Sequence, residues 1–475
     1  MRQFANLIGG EWVTRGAKVP DINPSDVNEV VGEYVAGTAA DVTAAVAAAR
    51  AAFRPWSRTT AQTRADLLTK VAAELFARRN ELGELLAREE GKLRSEGIGE
   101  VTRASQVVQF FAGESVRVAG AKLPPLRAGV EPEVTREPVG TVGVITPWNF
   151  PIAIAAWKIA PALAFGNTVI FKPSELTPAT AWSLVEIFQR AGLPAGVLNL
   201  VLGEGPVVGA ALSRQVDALT FTGSARTGRQ IARTAIEHMT RLQLEMGGKN
   251  PLVVLDDADL ETAVGCAING AYFQTGQRCT ASSRLIVTEG IYAQFLAGLQ
   301  ARVAALRVGH ALADDSELGP VVDQRQLDID LRYLEIGQGE GAHVAGGKVI
   351  ERSTHGFYLT PAIFTETHNR MRINREEIFG PIAAVIRVRD YEEALSVAND
   401  TEYGLSAGIC TTSLKHARHF QANAEAGLVM VNVPTAGLDY HVPFGGRKAS
   451  SYGPREQGSY AAEFYTAIKT SYINS

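Results

Sequence analysis

The sequence predicts an α/β fold built on a doubly wound parallel sheet, and three observations predict it. From Val139 onward, short Val/Ile-rich strands alternate with helices, the pattern of parallel strands covered on both faces. Glycines sit between strand and helix at Gly203-Glu204-Gly205 and at Gly223-Ser224, where backbone amides at a helix start can face a pyrophosphate. The chain has 475 residues, 46% of them hydrophobic and 20% charged, enough for two or three domains that each bury a core.

Taken in order, Gly9-Gly10 between short apolar runs reads as a hairpin turn, and residues 30–35 as a further strand. Thr38 with Asp41 three positions on starts an Ala-rich helix to Phe53. Leu67, Leu68, Val71, Leu75, Leu82, Leu85 and Leu86 recur at helical spacing over 60–90; they predict two amphipathic helices broken near Arg79-Asn80 or Gly83. Another helix is expected over about 98–118. Residues 120–138 hold four prolines and few periodic apolar positions, which fits an exposed strand arm better than core. Strands at 139–147, 168–172, 197–202 and 218–222 then alternate with helices at 177–191 and 227–240. Residues 243–256 read as a strand pair split by Gly247-Gly248. A second α/β region carries helices at 260–273 and 292–304, with strands at 283–287, 385–388 and 427–432. The tail, 461–473, reads as an edge strand pairing with the arm or with another subunit.

Forty-six basic residues against fifty acidic ones leave a net charge of −4, without long runs of one sign, so nucleic-acid and anionic-membrane partners are not expected. Three cysteines, Cys266, Cys279 and Cys410, form no CxxC pair and have no histidine at metal-ligand spacing. Neither a disulfide framework nor a metal is expected. Met1–Asn6 lacks a basic region followed by an apolar stretch, and the apolar run 159–171 is broken by Pro161, Gly166 and Asn167. A cytoplasmic location is the expectation.

The chemistry centres on Gly276-Gln277-Arg278-Cys279-Thr280. A thiol attacks a carbonyl as thiolate, and a neighbouring cation such as Arg278 is expected to lower its pKa; the bland alternative is a buried structural cysteine. Thr146-Pro147-Trp148-Asn149-Phe150-Pro151 follows a strand and offers an amide donor for a developing oxyanion, or simply a turn. Lys172-Pro173-Ser174-Glu175 also ends a strand, where an acid takes ribose hydroxyls. Glu245 beside Gly247-Gly248 lies in apolar surroundings, where desolvation raises a carboxyl toward a general base. Glu376-Glu377-Ile378-Phe379-Gly380-Pro381 adds a carboxylate and a ring ahead of a tight turn. None of these decides the matter singly.

Together, in this order, they resemble the aldehyde dehydrogenase superfamily over essentially the whole chain. The resemblance implies that Cys279 attacks the aldehyde, that Asn149 and the Cys279 backbone N–H stabilise the oxyanion, that Glu245 activates water, and that Lys158 assists proton removal. It implies a cofactor surface of Thr146, Pro147, Trp148, Lys172, Ser174, Glu175, Gly205, Phe221, Gly223, Ser224, Glu377 and Phe379. The implied cofactor is NAD, with NADP the alternative, because a carboxylate at Glu175 repels a 2′-phosphate. The implied layout is a Rossmann-like cofactor domain (1–119 and 139–246), an α/β catalytic domain (247–435), and a small β bridging and oligomerisation arm (120–138 and 456–475), in a homodimer or homotetramer.

Residues 433–448 and 452–458, with Arg278–Ser283, are similar to one group of 2-oxoglutarate semialdehyde (2,5-dioxopentanoate) dehydrogenases; the remaining alternatives are another semialdehyde, a broad aldehyde range, or a non-catalytic binding protein on the same fold. Phe150, Trp157, Arg278, Ser282, His441, Phe444 and Arg447 are the substrate-contact candidates. Succinate-semialdehyde dehydrogenases, and another group of oxoglutarate-semialdehyde enzymes, carry an arginine where this chain has Trp157, so a substrate carboxylate, if bound, is expected to be held differently here.

Overall fold

The computed structural model describes residues 2–474. Two large sheets carry the molecule. The first has eight strands in the order Ser451–Tyr452, Arg241–Glu245, Ala218–Thr222, Thr141–Ile145, Thr168–Lys172, Leu198–Leu200, Asn6–Ile8 and Glu11–Val13. Its five middle strands are parallel, and antiparallel strands flank them. Every residue of Thr141–Ile145, Thr168–Lys172 and Ala218–Thr222 is buried, as strands covered on both faces must be. Chain order along this parallel core reverses between Thr141–Ile145 and Ala218–Thr222. That reversal opens the crevice at the strands' carboxyl ends where open α/β sheets bind ligands.

The second sheet has seven strands in the order His343–Gly346, Ala362–Thr367, Ile382–Val388, Ser282–Thr288, Asn250–Val254, Ser406–Cys410 and Leu428–Val431. Only its first strand is antiparallel. The pair expected around Gly247-Gly248 is corrected by this arrangement. Arg241–Glu245 and Asn250–Val254 lie in different sheets, and the two glycines are the crossing between them. The chain leaves the carboxyl end of one sheet at Glu245 and enters the amino end of the other at Asn250.

Helix limits follow local signals. Thr38 and Asp41 form a reciprocal capping box ahead of Ala39–Ser57, satisfying two amides a bare helix end would leave unpaired. The long amphipathic stretch breaks at Arg78, between Ala61–Ala77 and Arg79–Glu90, and Gly83 lies inside the second helix, where Ile98 packs too close for a side chain. The next helix is Arg94–Glu114, and Ala153–Ala164 lies against it. Val130–Pro138 leaves the body and pairs antiparallel with Thr466–Asn474, as expected of arm and tail. Among the described residues, no helix is long and apolar enough to cross a membrane.

Candidate active site

The cysteine segment is delivered by a strained turn. The helix Leu260–Tyr272 ends, and Gln274, Thr275 and Gly276 follow with φ of 54°, 56° and 65°. A β-branched residue in the left-handed region costs roughly 1–3 kcal/mol and persists only where its surroundings force it. Here the Gln274 amide donates to Glu96 Oε1 at 3.0 Å, Thr275 Oγ1 to the Gly319 carbonyl at 3.1 Å, and the Val322 amide to Gln277 Oε1 at 3.0 Å. Gly276 is needed twice over: its φ is left-handed, and a Cβ would overlap the Gly380 carbonyl.

Asn149, buried, donates from Nδ2 to the Gln277 carbonyl at 2.9 Å, which ties the Pro-bounded turn to the cysteine segment. Its own carbonyl accepts from Lys92 Nζ at 2.7 Å. Lys92 pairs with Glu100 at 2.6 Å, and Glu100 Oε1 takes the amides of Ile152 and Ala153 at 3.0 and 3.1 Å. The Lys92 ammonium also lies 4.4 Å from the Phe150 ring centroid. The sequence reading missed Lys92 and Glu100. Their partners are up to 57 positions away in the chain, and only the acid–lysine–acid order of Glu90, Lys92 and Glu100 hinted at a buried charge network.

Glu245 ends its strand fully enclosed. Burial, and then the negative charge of Glu456, push its pKa well above the ordinary carboxyl value, while a hydrogen bond from the Ser451 hydroxyl opposes them. Gly445 closes over it, a Cβ there falling 2.6 Å from Glu245 Oε1. Lys158 is buried and ion-paired with Glu456, and it donates to Thr220 Oγ1 at 2.8 Å. Burial lowers its pKa, with Glu456 pulling the other way. Trp157 Nε1 donates to the second oxygen of Glu456 at 2.5 Å, and the Trp157 ring lies 5.6 Å from that of Phe444. Glu456 and Ser451 had no assigned role in the sequence reading; Glu456 meets Trp157 across 299 positions, a distance no local pattern spans.

The expected activation of the thiol by Arg278 is not what the structure shows. Arg278 turns back and donates to the carbonyls of Asn269 and Gly270 at the end of the preceding helix. The Cys279 thiol is pushed up to about 12, first by burial and then by the charges of Glu377 and Glu245; amides of Cys279 and Thr280 at the sulfur only partly offset this.

On the side of the first sheet, Lys172 Nζ meets Glu175 Oε2 at 3.1 Å, and Ser174 Oγ accepts from the Leu176 amide at 3.2 Å. Ser224 caps the helix Ala225–Glu237, accepting from the Thr227 amide at 3.3 Å. Gly223 has no room for a side chain, since a Cβ would lie 2.6 Å from the Phe221 ring, whereas a Cβ at Gly205 would meet nothing. Trp148, next to Pro147, meets Phe379 edge-on at 5.5 Å. Glu377 Oε1 accepts from the Gly248 amide at 3.0 Å, and burial raises its pKa to about 7. Thr146 and Thr222 hold buried hydroxyls without partners among the described residues, both at carboxyl ends of strands flanking the crevice. Unpaired hydroxyls, a helix start and a strand-end carboxylate together fit a dinucleotide.

The substrate candidates divide. Trp157 donates to Glu456 and packs against Phe444, and Phe150, next to Asn149, lies under the Lys92 ammonium. Ser282 does not line an opening: its hydroxyl is buried against Thr435 Oγ1 at 2.6 Å, and Thr435 in turn donates to the Thr280 carbonyl at 2.7 Å. This pair ties the 435–444 loop to the cysteine segment. His441 is exposed beside Tyr440, and Arg447 is exposed on a strand pairing with Tyr403–Gly404.

Residues 12–471 match the model of the aldehyde dehydrogenase family. The chain is 44% identical to an alpha-ketoglutaric semialdehyde dehydrogenase of Bacillus subtilis (strain 168), over 99% of this chain and 98% of that protein. It is 43% identical to an alpha-ketoglutarate semialdehyde dehydrogenase of Haloferax volcanii, over 98% of each. A crystal structure of betaine aldehyde dehydrogenase from Staphylococcus aureus in complex with NAD+ superposes with a TM-score of 0.96 at 35% identity, covering 99% of this chain and 95% of that one. The chain belongs to the aldehyde dehydrogenase family.

Proposed function

We propose that the protein oxidises 2-oxoglutarate semialdehyde to 2-oxoglutarate with NAD. The observation that carries the substrate is that relatives bearing that name, one bacterial and one archaeal, align end to end at 43–44% identity. Cys279 is the nucleophile. Its raised pKa means that the thiolate forms as the proton leaves for a nearby base, and sulfur then bonds to the aldehyde carbon. The second N–H of Asn149 and the Cys279 amide hold the oxyanion of the thiohemiacetal. NAD, when bound, takes the hydride and leaves a thioester on Cys279. Glu245 then draws a proton from water as the water attacks the thioester, and the C–S bond breaks to release the acid and the Cys279 thiolate, which takes back the proton it gave up at the first step. Lys158 and Glu456, buried against each other, carry that proton away from Glu245.

Lys172 and Glu175 hold the adenosine ribose, the Ser224 helix start faces the pyrophosphate, and Glu377 with Phe379 fixes the nicotinamide ribose. Glu175 favours NAD over NADP by charge repulsion. In this reading 1–119 with 139–246 form the cofactor domain, 247–435 the catalytic domain, and the arm and tail join subunits of a cytoplasmic homodimer or homotetramer.

Steady-state reduction of NAD and NADP with 2-oxoglutarate semialdehyde, succinic semialdehyde, propanal and benzaldehyde tests the proposal. The oxo acid is expected to lead in kcat/KM with NAD. A flat or aromatic-favouring profile would leave the family standing and overturn the substrate.

A further inference from the structure

Arg103 stands apart among the half-buried arginines. It lies on the helix Arg94–Glu114, three positions after Glu100, and residues at that spacing share a helix face. Glu100 is buried under the Asn149 turn, where it takes the Ile152 and Ala153 amides. One turn further out, the Arg103 guanidinium sits 5.9 Å from the Tyr440 ring centroid. Tyr440 belongs to the loop that starts at Thr435, anchored to the Thr280 carbonyl beside Cys279, and that ends at Phe444, packed on Trp157. Arg103, Tyr440, Phe444 and Trp157 therefore lie along one loop and the two helices it meets, and Thr435 ties that loop to the cysteine segment. Within the described residues, Arg103 makes no hydrogen bond or ion pair; burial lowers its pKa, and Asp439 and Tyr440 act on it only at longer range. A half-buried guanidinium that rests only against a ring keeps its fork of donors open, a fork matched to a carboxylate.

We propose that Arg103 binds the substrate carboxylate and sets the enzyme's preference for acidic aldehydes. It supplies the cation that the position of Trp157 lacks, from a neighbouring helix. The charge also disfavours cationic aldehydes, which a guanidinium at that position repels. The inference rests on the semialdehyde reading above.

The test compares Arg103→Met and Arg103→Lys with the wild type, using 2-oxoglutarate semialdehyde and the uncharged five-carbon aldehyde pentanal, with folding checked by thermal melting. For Arg103→Met, the ratio of kcat/KM for the oxo acid to that for pentanal is expected to fall about 100-fold, chiefly through KM, because one partner of a charge pair is removed. Arg103→Lys keeps the charge without the fork and is expected to fall about tenfold. A ratio within twofold of wild type in a folded Arg103→Met enzyme that still prefers the oxo acid overturns Arg103 alone. A wild-type enzyme with no preference for the oxo acid over pentanal overturns the substrate reading, and Arg103 with it.

Discussion

At the scale of residues, Cys279 is held as a thiol by its surroundings, with burial and the charges of Glu377 and Glu245 all opposing the anion. Well below a thiol's pKa, its thiolate fraction rises about tenfold per pH unit. Iodoacetamide labelling of Cys279 in the free enzyme is therefore expected to climb without a plateau between about pH 7 and pH 9. Glu377→Gln removes one of the opposing charges. Because the Glu377 carboxyl titrates at about 7, the variant should label severalfold faster near pH 8 and no faster near pH 6, where Glu377 is protonated in both proteins. A plateau below pH 8, read by mass spectrometry of the labelled peptide, would sink this account. The same residues mark what the sequence makes legible. Cys279, Asn149 and Glu245 stand out because glycine or proline within three positions of each signals a special backbone, and such signals are local. Charge partners are not local. Arg278 follows the chain next to Cys279, yet its guanidinium reaches back to Asn269 and Gly270, while Lys92 serves Asn149 from 57 positions away.

At the scale of elements, two glycine-bearing segments differ in what their glycines face. Gly276 faces backbone: a Cβ would overlap the Gly380 carbonyl, and its φ is 65°. Neither the carbonyl nor the turn can swing aside, so Gly276→Ala should destabilise by about 1–3 kcal/mol and cut kcat more than about tenfold by displacing Cys279. Gly247 instead faces the tip of the Glu377 side chain, which can move. Gly247→Ala should leave the melting temperature nearly unchanged and raise KM for NAD as Glu377 is driven out. Equal losses of stability in the two variants would contradict this distinction, and melting curves beside NAD saturation curves decide it. Element boundaries were readable where a cap or a break announces them, as at Thr38 and near Arg79. Sheet membership was not: Gln243 and Asn250 read as neighbouring strands because strand signals carry no information on partners, and the sheets that separate them take in strands as late as Ser451–Tyr452 and Leu428–Val431.

At the scale of the whole molecule, the ribbon of Val130–Pro138 and Thr466–Asn474 is the part with least core of its own. Its nine paired positions leave Thr466–Asn474 on the sheet's edge, with Ile468 and Tyr472 each 65% exposed on one face of the strand. A long, proline-free edge with exposed apolar side chains is a template for pairing with another chain. Arm and tail were expected together from the sequence because both show strand-like alternation outside the core pattern, but their register depends on the turn of the whole chain that brings residue 138 to residue 466. If this edge joins subunits, placing charge on it should separate them without touching the catalytic body. Ile468→Lys combined with Tyr472→Lys keeps the strand's backbone and puts like charges face to face across any two-fold pairing, which is destabilising. In sedimentation velocity, the wild-type protein is expected to run as a dimer or tetramer and the double variant at monomer mass, with Cys279 labelling still intact. A double variant that keeps the wild-type mass would mean that the subunits meet elsewhere and that the ribbon's exposed face has no part in their assembly.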